Sequence, residues 1–150
     1  MKKTLHIPPP IIALFVALAV NLIIYIIPQA RVVGLRSLTL AIVFFVVSMA
    51  LAGWAVLTFW NKHTTIDPSA KPNTLVVSGP YRLSRNPMYL GLLLLLLSYT
   101  FWQGIAVFFL APLTFFLIMD KYVIPQEEKT VKQTIGGEYD LYRRSVRRWL

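Results

Sequence analysis

Residues 79–91 read GPYRLSRNPMYLG, and from Met88 the chain continues to Met119 without a single charged side chain. Arg82 and Arg85 therefore sit at the edge of a strongly apolar run, which places them where a membrane meets water. The run is 32 residues long, and as one helix it would measure roughly 48 Å, well beyond a hydrocarbon layer about 30 Å thick. Near its middle Phe101-Trp102-Gln103-Gly104 supplies an interfacial aromatic pair and a turn glycine. The stretch thus predicts a tight helical hairpin of two short spans, 88–101 and 104–119.

Two further apolar runs precede it, at 11–27 and 38–60. They correspond to roughly 25 Å and 34 Å of helix, so each can span. With 57% hydrophobic and 14% charged residues and a mean hydropathy of +0.63, this is an integral membrane protein and not a soluble domain. The expected architecture is all-α: one domain over residues 1–150, about four transmembrane helices, a cytosolic loop at 61–87 and C-terminal cytosolic or interfacial helices at 125–149. Lys2 and Lys3 before an apolar run resemble a signal peptide, but Pro28-Gln29-Ala30 is a poor cleavage site and the run is kept as the first span.

The net charge of +9 does not point to nucleic acid, because the positive residues follow the bilayer. Only Arg31 and Arg36 fall in the loop between the first two spans. The other thirteen of the fifteen Lys and Arg fall on the opposite side if both termini are cytosolic, and the positive-inside rule then sets that orientation. A chain this short with a full motif set reads as a prokaryotic cytoplasmic-membrane protein. There is no cysteine, and His6 and His63 are the only histidines, so neither a disulfide nor a metal centre is expected. Oligomeric state is not legible.

Taken in order, Pro8-Pro9-Pro10 suits the entry of a helix, since proline lacks the amide that the first turn does not need. Asn21 lies mid-span, where an amide requires a partner across helices. Ser48 and Gly53 offer small residues for a close helix contact. The loop carries an apolar island, Leu75-Val76-Val77, that predicts a folded segment packed on the membrane face. Near the end, Tyr139, Tyr142, Val146 and Trp149 recur at spacings of three, four and three, one face of an interfacial helix. Arg143, Arg144, Arg147 and Arg148 then read as contacts to anionic head groups.

Two clusters can carry chemistry: residues 75–89, with their Arg, Asn and Tyr side chains, and Glu127-Glu128. Singly, each has an ordinary explanation. Pro125 followed by paired carboxylates is a normal helix start, and Ser84-Arg85-Asn86-Pro87 is a normal turn before a helix. In combination they form an ordered pattern. Leu-Val-x-x-Gly-Pro-Tyr-Arg is followed by Ser-Arg-Asn-Pro-Met-Tyr-x-Gly opening a hydrophobic hairpin, then Glu-Glu, then Gly-Gly-Glu-Tyr-x-x-Tyr and Val-Arg-Arg. This resembles the isoprenylcysteine carboxyl methyltransferase and phospholipid N-methyltransferase group of membrane enzymes, over roughly residues 73–149.

The resemblance implies S-adenosylmethionine as methyl donor, bound on the cytosolic side, and a small lipophilic or lipid acceptor entering from the bilayer. By motif it assigns cofactor contacts to Asn73, Thr74, Leu75, Val76, Tyr81, Arg85, Asn86, Pro87, Met88, Tyr89, Glu127 and Glu128. Arg85, Asn86 and Glu127 stand nearest the chemistry. Two positions depart from the family pattern. Asn86 replaces the histidine of Arg-His-Pro-x-Tyr and cannot titrate as a base near neutral pH. Val123 stands where the prenylcysteine branch has a substrate arginine, so a prenylcysteine acceptor does not follow.

Elementary chemistry agrees with that cofactor. A carboxylate such as Glu127 suits its ribose hydroxyls or ammonium, and a guanidinium such as Arg85 suits its carboxylate. Methyl transfer from a sulfonium needs no metal, and positioning can supply much of the rate. No general base is identifiable, which favours an acceptor already nucleophilic at neutral pH. Two other readings remain open: a nicotinamide-dependent reductase, because sterol reductases share a similar hairpin on much longer chains, and a non-catalytic membrane protein.

Overall fold

A computed structural model describes residues 8–27, 34–61 and 75–150, with only the backbone of Phe59 and Asn61. Among these residues six α-helices follow one another: α1 (Pro9–Ile26), α2 (Leu38–Asn61), α3 (Pro87–Gln103), α4 (Leu110–Ile118), α5 (Ile124–Ile135) and α6 (Gly137–Ser145). No strand occurs among the described residues, so the protein is all-helical. α1, the Leu38–Thr58 part of α2 and the helical run Ala106–Ile135 are long and apolar enough to cross a membrane. α3, at 17 residues, measures roughly 25 Å and lies along α2. Most large side chains of α1 and α2 are exposed, among them Phe15, Leu18, Phe45 and Leu57, which in a bilayer face lipid.

α2 and α3 form the most extensive helix pair, held by small residues and hydroxyls. Ser48 Oγ donates to the Gly91 carbonyl at 2.7 Å and Ser98 Oγ to the Ala41 carbonyl at 2.7 Å. A Cβ on Gly91 would stand 3.2 Å from the Ala52 Cβ, so glycine permits the approach. Ser48 makes the contact its position suggests. Gly53 does not, since nothing lies within 4 Å of where its Cβ would be.

The hairpin turns at Gly104, whose φ of +70° caps α3 in the left-handed conformation. Leu35 and Ser37 donate to the carbonyls of Gly104 and Phe101 at 3.4 and 3.1 Å, tying the start of α2 to the tip. The second arm departs from expectation. Instead of stopping at 119, a 3-10 turn (Ala106–Phe109), α4, a π turn (Met119–Val123) and α5 run on as one helix. Pro125 has no amide for the carbonyl one turn back, and the wider π turn, where Ile124 bonds the Met119 carbonyl, absorbs the defect. The run from Ala106 is free of charged side chains up to Asp120, and those of the run are carried from there into α5.

The main core joins α1, α3, α4 and the start of α5 through Val20, Leu96, Phe108, Phe115, Met119 and Ile124. Asn21 is paired as its mid-span position requires: its Oδ1 accepts from the Tyr99 hydroxyl at 2.9 Å, and that hydroxyl accepts from Gln103 Nε2 at 2.7 Å. A second small core places Val76 and Tyr81 against Ala55 of α2, so the loop island packs on the bundle.

The last helix is shorter than its three-four-three spacing suggests. α6 ends at Ser145, and Val146 is extended at φ −127°, ψ 133°. Residues 146–150 turn back along the loop before α3, where the Arg85 amide donates to the Arg147 carbonyl at 3.0 Å. That pairing, together with Trp149 meeting the Phe116 ring at 5.0 Å, replaces further helix.

Candidate active site

The loop that leads into α3 is fixed before any functional side chain is considered. Gly79, Pro80, Tyr81 and Arg82 form a 3-10 turn, and Gly79 is required by its φ of +60° and by Thr58 Oγ1, 2.7 Å from where a Cβ would stand. Tyr81 is buried, and its carbonyl accepts from the Tyr142 hydroxyl at 2.6 Å. Burial pushes the phenols of Tyr81 and Tyr142 well above their ordinary range, so both stay protonated donors. Ser84 Oγ accepts from the Asn86 amide at 3.1 Å and donates to the Arg148 carbonyl at 3.2 Å, while Asn86 Nδ2 donates to the same carbonyl at 3.0 Å. Pro87 then opens α3 at its first position.

Two acid pairs follow from this framework. Tyr89, in the first turn of α3, donates to Glu127 Oε1 at 2.6 Å. Arg85, whose side chain is 9% exposed, places Nη1 at 2.8 Å from Glu128 Oε1 and at 3.0 Å from the Tyr139 hydroxyl. Its Nε is buried and has no partner among the described residues. Glu127 and Glu128 are successive residues of α5, so one helix presents one carboxylate to Tyr89 and the next to Arg85. Burial raises the Glu127 acid to about 7. The Tyr89 bond opposes that shift and the neighbouring Glu128 charge adds to it.

A third charged centre was not singled out by sequence. Arg148 donates through Nη2 and Nε to the two oxygens of Glu128 at 2.9 and 3.3 Å, and through Nη1 to Asp120 Oδ1 at 2.9 Å. Trp149 Nε1 donates to the same Asp120 oxygen at 3.1 Å. These bonds, that of Arg148 foremost, hold the Asp120 acid below its ordinary range. Arg143, Arg144 and Arg147 are exposed, as head-group contacts would be, but Arg148 turns inward. Its only sequence signal is membership of the Val-Arg-Arg motif.

Of the residues expected to bind cofactor, Arg85, Asn86, Pro87, Tyr89, Glu127 and Glu128 are gathered here, and Tyr81 lies within electrostatic reach of Tyr89. Met88 packs on the Ala55, Val76 and Tyr81 cluster, and Leu75 is half-buried beside it in sequence. Asn73 and Thr74 lie outside the described residues. Among the described residues no group of three His, Cys, Asp or Glu is placed to hold a metal ion. One turn along α3 from the Tyr89 pair, an apolar groove of about 620 Å³ begins between α1, α2 and α3, lined by Ala13, Ala17, Ala41, Phe45, Leu92 and Tyr99 among others.

The family model for phospholipid methyltransferase matches residues 36–137, more than half of the chain. A protein of Haemophilus influenzae described only as uncharacterised is 41% identical over 63 residues, which is 42% of this chain and all of that relative. No solved structure matches.

Proposed function

Since the chain belongs to the phospholipid methyltransferase family, and is thereby a membrane methyltransferase, we propose that it takes the methyl group from S-adenosylmethionine and passes it to a small lipophilic or lipid acceptor. The observation that carries this reading is the pair of adjacent carboxylates on α5. One is committed to Arg85 and Arg148, and the other, Glu127, is buried with an acid at about 7.

The residues fit the donor. Glu127 offers a carboxylate for hydroxyls or an ammonium, and Arg85 offers a buried Nε–H that no described residue uses. When bound, the donor supplies a methyl group on a sulfonium that leaves as a neutral thioether. The chain's own residues bind and orient. Tyr89 holds the Glu127 carboxylate, Glu128 and Tyr139 fix the Arg85 guanidinium, and Asn86 locks the loop by its bond to the Arg148 carbonyl. Asn86 thereby acts through the backbone and not as a base. The groove beside α3 begins one turn from Tyr89 and runs towards the hairpin tip, so it offers an apolar surface for a greasy acceptor next to, and not within, the cluster that would hold the polar donor. The reading includes four crossings in a prokaryotic cytoplasmic membrane with the site on the cytosolic side; with both termini cytosolic, thirteen of the fifteen Lys and Arg fall on that side, which supports the orientation.

The test is binding of S-adenosylhomocysteine and, separately, of reduced nicotinamide adenine dinucleotide phosphate to detergent-purified protein by calorimetry. Saturable binding of the first alone is expected. Tyr89→Phe, which removes the 2.6 Å hydrogen bond that orients Glu127, is expected to weaken it by about tenfold, equivalent to roughly 1.4 kcal/mol. Binding of the dinucleotide alone would transfer the site to a reductase, and binding of neither by a folded protein would remove the enzyme reading.

A further inference from the structure

We propose that Arg148 is a positioning residue of this site and that residues 146–150 are the strap that holds the loop before α3 against α5; the proposal rests on the methyl-donor reading above. The strap works at two levels. Its backbone receives the loop: the Arg147 carbonyl accepts from the Arg85 amide, and the Arg148 carbonyl accepts from Ser84 Oγ and Asn86 Nδ2. Its side chain receives the helix: the Arg148 guanidinium bridges Glu128 of α5 and Asp120 of the π turn, including a bond to the Asp120 carbonyl at 3.3 Å. A single residue therefore fixes the loop that carries Arg85 and the helix that carries Glu127.

Arg148 need not touch a ligand to matter. Glu128 bonds Arg148 through both carboxylate oxygens and still meets Arg85 at 2.8 Å, so its orientation toward Arg85 is set from behind. Glu127 precedes Glu128 on the same turn, and any rotation of α5 that follows loss of the Arg148 fork draws Glu127 away from the Tyr89 hydroxyl. A planar guanidinium with several fixed donors suits such a bridge, and an ammonium replaces it only in part. The strap also lies beyond residues 36–137, which the family model matches. This chain thus completes the motif loop with residues outside the matched region.

The full chain in detergent is titrated with S-adenosylhomocysteine well below its melting temperature, as wild type, Arg148→Met, Arg148→Lys, Glu128→Gln and the Arg148→Met/Glu128→Gln pair. Arg148→Met is expected to weaken binding by about tenfold to a hundredfold, the range for losing a partner that stands behind a ligand-contacting group, and Arg148→Lys to recover part of the loss. Because Arg148 acts through Glu128, Arg148→Met should cost much less in the Glu128→Gln background than in wild type. Wild-type affinity in a folded Arg148→Met protein, or losses that simply multiply in the pair, overturns the positioning role alone. If Arg148→Met does not fold, Arg148→Lys decides, and affinity equal to wild type overturns the proposal. No binding by wild type overturns the methyl-donor reading and the positioning role with it.

Discussion

Replacing Glu127 by glutamine should make the protein more stable and bind its ligand less well, and the stability gain should depend on pH. The Glu127 acid stands at about 7 against an ordinary value of 4.5. Between those values the folded state holds a proton that the unfolded chain has released, so rising pH withdraws stability until it passes about 7. The full difference amounts to roughly 3 kcal/mol at about 1.4 kcal/mol per pH unit. Glutamine is neutral at every pH, and its carbonyl can accept the Tyr89 hydroxyl as the protonated acid does. Glu127→Gln should therefore melt close to wild type at pH 4.5 and roughly 5–10 °C above it at pH 8.5, followed by thermal unfolding in detergent at each pH. S-Adenosylhomocysteine affinity at pH 8.5 should fall, because a carboxylate partner is gone. A Glu127→Gln protein that melts below wild type at pH 8.5, or whose difference from wild type is the same at both pH values, would refute the account of Glu127 as a buried, proton-holding acid.

Two substitutions outside the carboxylate pairs test the frame that positions them. Gly104→Ala places a Cβ at a φ of +70° and 2.8 Å from the Arg36 Cα; the left-handed conformation alone costs about 1–2 kcal/mol, and the melting temperature should drop at every pH. Gly91→Val pushes branched carbons into Ala52, whose Cβ is already 3.2 Å from the position of a Cβ there. Overpacking of this kind costs about 1–3 kcal/mol, and because Gly91 lies two residues from Tyr89, ligand affinity should fall together with the melting temperature.

The helical architecture can be read from the chain because apolar runs and their breakers are local signals. Pro87 starts α3 and Gly104 ends it, each by its own backbone chemistry. The continuity of α4 into α5 cannot be read in the same way. Pro125 normally starts a helix, and only the π turn at Met119–Val123 lets the helix pass through it. The end of α6 is likewise hidden, since Tyr139, Tyr142, Val146 and Trp149 keep a helical spacing although the chain becomes extended at Val146. That change is decided by residues 84–86, more than fifty positions away. Within the site, Arg85 and Glu127 are visible as motif members. Which of four nearby arginines turns inward is not, because the choice belongs to Asp120 and Glu128 in the folded structure.

The charge balance of the site bears on the two enzyme readings. Two guanidinium groups, Arg85 and Arg148, face three carboxylates, Asp120, Glu127 and Glu128. Lys121 approaches Asp120 only at 3.7 Å and is largely exposed, so solvent screens much of its charge. Glu128 and Asp120 take up both guanidinium groups. Burial is the main reason the Glu127 acid rises; the Tyr89 bond opposes the rise and the Glu128 charge adds to it. A ligand that brings positive charge beside Glu127 would restore the carboxylate by lowering its acid, and part of the binding energy would appear as proton release near neutral pH. A ligand that brings phosphate there would meet a carboxylate and must hold it protonated. On the proposed reading, affinity for a sulfonium and ammonium donor should rise as pH passes upward through about 7, whereas a phosphate-bearing dinucleotide in the same place would show the opposite slope.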